Sequence, residues 1–315
     1  MLELLTSGRE SPAHDGRWPA RARRCNVRPK RLPILVSRLA MTTSNTNAQA
    51  LEAGRYATVN GMRMYYEVHG TGEPLLLIHG GGSTIQTSFG RLMPLLARSR
   101  RAIAVELQAH GHTSDRDAEE SFAQDADDVA ELLRQLDVPR ADILGFSNGG
   151  STALQIAIRH PGRVRKLIAI SAIYRRDGMQ PWFWDFLANA SFDDMPQLYK
   201  DAFLRINPDE AALVTMHDKD RARMLGFTDW KASDIEGIQA PALIVGSDRD
   251  VVRPEHAMEM ARLLPNGRFA VLPGGHGEFF GEAMSPHPES RMPTLFAAIV
   301  DEFLAANEGP AHKLP

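Results

Sequence analysis

The chain predicts an α/β fold, a mainly parallel sheet with helices on both faces and a small helical cap, and three observations carry that reading. Short apolar runs at 75–78, 102–107, 141–144, 166–171, 242–246 and 269–273 alternate with helical stretches. Between 123 and 136, Ala126, Val129, Ala130, Leu133 and Leu136 share one helical face. From 174 to 230 the strand signal stops and three or four short helices follow, at 182–190, 195–205 and 210–224.

The chain opens its ordered pattern with strands at 55–59 and 64–68 around Asn60-Gly61, a favoured pair for a tight hairpin turn. A helix over 91–98 separates the next two strands. The core is therefore expected at 41–173 and 231–308, with 174–230 inserted as the cap. Residues 1–40 hold nine Arg and Lys from Arg9 to Arg38 against Glu3, Glu10 and Asp15, with prolines and no amphipathic period. They read as a disordered basic extension or a non-native start before Met41, with an organelle transit peptide as the rival reading.

Composition narrows the classes. A net charge of −3 in 315 residues gives no electrostatic reason to expect nucleic acid or an anionic membrane as partner. Cys25 is the single cysteine, which rules out an intramolecular disulfide and points to a cytoplasmic protein. No run approaches the roughly 18 apolar residues of a spanning helix.

Chemistry enters at Gly145-Phe146-Ser147-Asn148-Gly149, set between an apolar strand and a helix. A serine on so sharp a turn is exposed for attack, and flanking glycines leave room at the bend. Such a nucleophile needs a base, an acid that orients the base, and donors for an oxyanion. A carboxylate, Asp248 or Asp250, follows the strand at 242–246. His276 follows the strand at 269–273 on a glycine-rich loop. Upstream, His79-Gly80-Gly81-Gly82 follows the strand at 75–78, where Gly81 is placed to supply one backbone donor and Asn148 the other.

Together these segments resemble the α/β-hydrolase fold, in the branch with a serine nucleophile and a small helical cap. The resemblance is carried by Leu77-Ile78-His79-Gly80-Gly81-Gly82, the stretch from Glu106 to Ser114, Gly145 to Gly150, Asp250-Val251-Val252-Arg253-Pro254 and Gly274-Gly275-His276, and it spans about residues 53 to 306. It implies a Ser147, Asp250, His276 triad, with Asp250 preferred to Asp248 by its placement before Pro254, and an oxyanion hole of Gly81 and Asn148. It further implies hydrolysis of a small carboxylic ester or lactone without metal or organic cofactor. Carbon–carbon hydrolysis, cofactor-free haloperoxidase or perhydrolase chemistry, and slow-turnover ligand sensing are the alternatives. One departure is Glu106, where this branch usually has Asp; its expected consequence is loop packing.

Several side chains have competing readings. Trp182 and Trp184 are expected to line the substrate, against the plainer reading that they form the cap's own core. His110 and His112 lack a companion ligand set and shape a loop, and His79 is read as a structural histidine beneath the oxyanion loop. Residues 284–290 read as a surface loop bordering the site.

Overall fold

Asn60 and Gly61 adopt φ of 44° and 87°, the left-handed pair that joins β1 (Arg55–Val59) to β2 (Met62–His69) in a tight hairpin. The structure is a computed structural model that describes residues 54–306. The expectation for residues 1–40 thus lies outside the described residues.

Six further strands follow: β3 (Pro74–Ile78), β4 (Arg101–Val105), β5 (Ala141–Phe146), β6 (Val164–Ile170), β7 (Ala242–Ser247) and β8 (Gly267–Leu272). They build one sheet in the order β1-β2-β4-β3-β5-β6-β7-β8. Only the β1–β2 and β2–β4 pairings are antiparallel; from β4 onward every neighbour is parallel. The loops leaving β3, β5, β6, β7 and β8 therefore emerge at one edge, where open α/β sheets collect their sites.

Connections explain the sheet's burial. After β3 come α1 (Ile85–Phe89) and α2 (Met93–Leu96), then α3 (Phe122–Gln135) after β4 and α4 (Asn148–Arg159) after β5. Between β6 and β7 lie α5 (Phe183–Asn189), α6 (Gln197–Ile206), α7 (Glu210–Leu225) and α8 (Ala232–Glu236). Finally α9 (Pro254–Leu263) precedes β8 and α10 (Met292–Ala305) follows it. Alternate residues of β3 serve opposite layers: Leu76 and Ile78 pack with Val129, Leu133 and Leu154, while Leu75 and Leu77 pack with Phe89, Phe280 and Phe296. Both faces are covered, so these strands read as continuous apolar runs.

The helix expected at 91–98 is shorter in the structure. Thr84 and Thr87 form a capping box that starts α1, Gly90 ends it, and Pro94 sits in the first turn of a four-residue α2. The pattern at 91–98 blended a short helix with turn residues of similar hydrophobicity. No helix among the described residues is long and apolar enough to cross a membrane.

Candidate functional site

β5 runs into α4 through Ser147, whose φ of 55° and ψ of −119° are strained for a residue with a Cβ. The bend is possible because two glycines flank it. A Cβ on Gly145 would strike the Gly149 carbonyl, and one on Gly149 would strike the Ile78 and His79 carbonyls. The Ser147 amide is anchored to Ile170 O at 2.8 Å, tying the elbow to β6. Ser147 thus stands at the N-terminal end of α4, where amides and helix dipole favour negative charge.

Asp250 lies beyond β7 and is 3% exposed. Its Oδ1 accepts from His276 Nδ1 at 2.7 Å and from the Val252 amide at 3.2 Å, and its Oδ2 accepts from Ser171 Oγ at 2.5 Å. Burial pushes this carboxyl up, but His276 and the hydrogen bonds outweigh it and hold it below the usual carboxylate range. Asp248 has another occupation: its Oδ1 takes the Gly274 amide at 2.7 Å, fastening the loop that carries His276. Ser247 Oγ, donating to Gly275 O at 2.9 Å, and Glu278, accepting from the Gly275 amide at 2.7 Å, hold the same loop.

His276 Nε2 lies 3.0 Å from Ser147 Oγ, and its ring stands 4.6 Å from that of Phe146. Because Nδ1 faces Asp250, the neutral ring carries its proton there and offers Nε2 as acceptor to the serine. Burial lowers the pKa of His276, yet the charge and hydrogen bond of Asp250 outweigh this and raise it above the ordinary imidazole value. The fold therefore brings Ser147, His276 and Asp250 into one hydrogen-bonded line.

Across from the serine, the His79–Gly82 loop is held by its neighbours. Gly80 N donates to Ser88 Oγ at 3.2 Å, and Gly82 N donates to His110 Nε2 at 3.3 Å. Gly81 N, between them, has no protein acceptor among the described residues. The Asn148 amide is the first of α4 and has no preceding helical turn to bond. These are the two amides expected from the sequence to hold an oxyanion.

The histidines beneath this loop are structural supports. His79 Nδ1 donates to Gly80 O at 2.7 Å while its Nε2 accepts the Leu107 amide at 3.0 Å. His110 Nδ1 donates to Gln108 O at 2.7 Å. Burial lowers both, His79 to about 3, so each ring is neutral. Glu106 is buried and accepts from the amides of His112 at 2.7 Å and Ile85 at 3.3 Å, which is a packing role. Among the described residues no group of three or more His, Cys, Asp or Glu is arranged to hold a metal.

The helices between β6 and β7 touch this edge through residues that sequence reading missed. Tyr199 of α6 donates to Glu282 at 2.8 Å, just beyond the His276 loop. Asp220 of α7 accepts from Asn148 Nδ2 at 2.9 Å. A Cβ on Gly82 would lie 3.6 Å from the Met195 methyl. Ser171, Asp220 and Glu282 left no signal: each is a common polar residue whose partner lies far along the chain, and Asp220 sits in the charged run His217-Asp218-Lys219-Asp220-Arg221, which does not single it out.

The two tryptophans expected at the substrate differ in their surroundings. Trp184 Nε1 donates to Arg176 O at 2.8 Å, the Arg176 guanidinium covers its ring at 3.7 Å, and it packs against the cluster of Ile173, Met179 and Phe227. Trp182 is 45% exposed and meets Phe183 and Phe186. No hydrogen bond or ring contact of either runs to Ser147, Asp250 or His276. The plainer reading of cap packing fits Trp184. The loop at 284–290 is tied down by Arg91, which donates to Ser290 O at 2.8 Å.

Comparison with known proteins gives the same fold. Residues 75–292 match the alpha/beta hydrolase family. A 2-hydroxymuconate semialdehyde hydrolase of Pseudomonas putida is 34% identical over 286 residues, covering 83% of this chain and 97% of that protein. A protein of the same name from Pseudomonas sp. strain CF600 is 37% identical over 132 residues, 41% of this chain, and the match spans 46% of that relative's length. Among solved structures, a meta-cleavage product hydrolase of Pseudomonas fluorescens IP01 superposes with a TM-score of 0.65 at 20% identity, covering 80% of this chain and 97% of that one.

Proposed function

The chain belongs to the alpha/beta hydrolase family, and from that premise we propose that it cleaves a small carboxylic ester or lactone through an acyl-enzyme on Ser147. One observation carries the reading: the unbroken line from Asp250 through His276 to Ser147 Oγ, with contacts of 2.7 and 3.0 Å, beside the free Gly81 amide.

In this mechanism His276 Nε2 takes the hydroxyl proton as Ser147 Oγ bonds to the carbonyl carbon. The carbonyl π electrons move to oxygen, which the Gly81 and Asn148 amides hold; one such donor is worth on the order of a hundredfold in rate. Asp250 fixes the ring's tautomer and stabilises the imidazolium. The intermediate then expels the alcohol oxygen, which collects the proton from His276. Water attacks the acyl-enzyme, gives its proton to His276, and Ser147 leaves with that proton restored. The residues of α5 to α7 serve as a cap over the substrate. No cofactor enters these steps, and the single Cys25 supports a cytoplasmic setting.

A second reading, hydrolysis of a carbon–carbon bond next to a ketone, is favoured by the names of the relatives. It uses the same serine and differs in the leaving group, which is a carbon rather than an oxygen. Assay of p-nitrophenyl esters, lactones and vinylogous diketones separates the two. Ser147→Ala is expected to abolish turnover of every active substrate in folded protein. Retention of most activity in that variant would sink the assignment.

A further inference from the structure

We propose that Asp220 determines substrate charge: it places a carboxylate against the oxyanion loop, so that the site takes neutral or cationic acyl groups and turns away those bearing a carboxylate. This rests on the hydrolase reading above and names a substrate class for it.

The two oxygens of Asp220 are used unequally. Asn148 Nδ2 and Arg223 Nη2 both donate to Oδ1. Oδ2 is turned toward the oxyanion loop, because a Cβ on Gly81 would collide with it and with Asn148 Nδ2. The side chain as a whole keeps 13% exposure. It abuts the residue whose amide is proposed to hold the oxyanion.

Nearby cations do not cancel this charge. Arg223 is shared: its Nη1 donates to Asp125 at 2.6 Å while Nη2 serves Asp220, and burial pushes Glu120, 3.5 Å from Nη1, up to about 8. Lys219 is committed to Asp115 and to the carbonyls of Arg116 and Ala118. His110 is neutral, with Nε2 accepting from Gly82. Burial pushes the Asp220 carboxyl up, but the Arg223 guanidinium and the hydrogen bonds from Arg223 and Asn148 outweigh it and hold it below the usual range. Glu282, beyond His276, is 2% exposed and held by Tyr199 and by the Met284 amide at 2.7 Å, and burial pushes its carboxyl up, so the charge at this edge is that of Asp220. A substrate carboxylate near the scissile carbonyl would approach Asp220 at the oxyanion loop, in partly desolvated surroundings where like charges repel more strongly than in water.

The test compares esters of matched length and different charge. In wild type, kcat/KM for p-nitrophenyl hemisuccinate is expected at least about tenfold below that for p-nitrophenyl pentanoate, with the p-nitrophenyl ester of 4-(trimethylammonio)butanoate at or above the neutral ester. In Asp220→Asn, which keeps shape and removes charge, the anionic-to-neutral ratio should rise about tenfold. Reading a ratio cancels any loss of rate from altered Asn148 placement. Salt raised from about 50 to 500 mM should narrow the wild-type ratio, a readout that requires no variant to fold. A wild-type preference for the anionic ester, or a ratio unmoved by Asp220→Asn, overturns the proposal. Should wild type cleave no ester, or Ser147→Ala cleave them equally, the hydrolase reading fails instead. Calorimetric binding of butylboronic acid against its ω-carboxylate analogue, to wild type and Asp220→Asn, then tests the charge preference without turnover: weaker binding of the anionic analogue supports it and equal binding overturns it.

Discussion

Asp248 Oδ1 receives the Gly274 amide over 2.7 Å, so the acid nearer to β7 is spent on the loop that carries the histidine. Two residues on, Asp250 meets His276 itself, and the two carboxylates have separable work. Asp250→Asn puts an amide where His276 needs an acceptor and favours the wrong ring tautomer, with an expected loss in kcat of about a thousandfold to ten thousandfold. Asp248→Asn keeps an acceptor oxygen for Gly274 and should cost less than about tenfold. Steady-state kinetics on one ester decide it, and the reverse order of damage would transfer the acid's role to Asp248.

The pH profile follows from the same pair. Base catalysis needs His276 neutral, and Asp250 raises its pKa above the ordinary value of about 6.5. Activity is therefore complete above the raised pKa and lost as pH falls through it, so the acid limb of kcat/KM has its midpoint above 6.5. Removing the charge in Asp250→Asn should carry the midpoint downward in the residual activity. An unchanged midpoint would mean that another group governs the limb.

Two glycine substitutions should differ sharply in cost. Gly149→Ala drives a methyl into the Ile78 and His79 carbonyls and is expected to destabilise by about 2–3 kcal/mol or prevent folding. Gly162→Ala, with nothing within 4 Å of the added methyl, should stay within about 0.5 kcal/mol. Urea unfolding of both variants measures the contrast, and equal effects would contradict the tight elbow.

Trp184 and Trp182 are also distinguishable. Trp184→Ala removes an indole hydrogen bond and the surface beneath Arg176, and should cost about 2–4 kcal/mol of stability. Trp182→Ala, at an exposed position, should cost under about 1 kcal/mol. Neither should change the ratio of rates on bulky and acetate esters by more than about threefold. A collapse of that ratio in Trp182→Ala would place this tryptophan at the substrate wall.

Short apolar runs alternating with helical stretches, and the amphipathic face of α3, made the fold class legible, because run length and the 3.6 period are properties of neighbouring residues. The hairpin at Asn60-Gly61 was equally local. The helix at 91–98 was misjudged for the complementary reason: a four-residue turn and its flanks have no period long enough to read. For the site, the order of Ser147, a carboxylate and His276 was visible, as was the glycine loop. Each stands at a strand end, where glycine and apolar runs mark the turn.

By itself the sequence determined the layer architecture, the elbow and the residues that the loops present at one sheet edge, since these follow from local periodicity and backbone sterics. Only the tertiary structure decided which neighbours meet them. Ser171 reaches Asp250 across 79 positions and Asp220 reaches Asn148 across 72. It also committed Trp184 to Arg176 and, within the charged run of α7, set Asp220 against Asn148. Such contacts depend on how separate elements pack, and a polar side chain carries no periodic mark of the partner it finds when water is excluded around it.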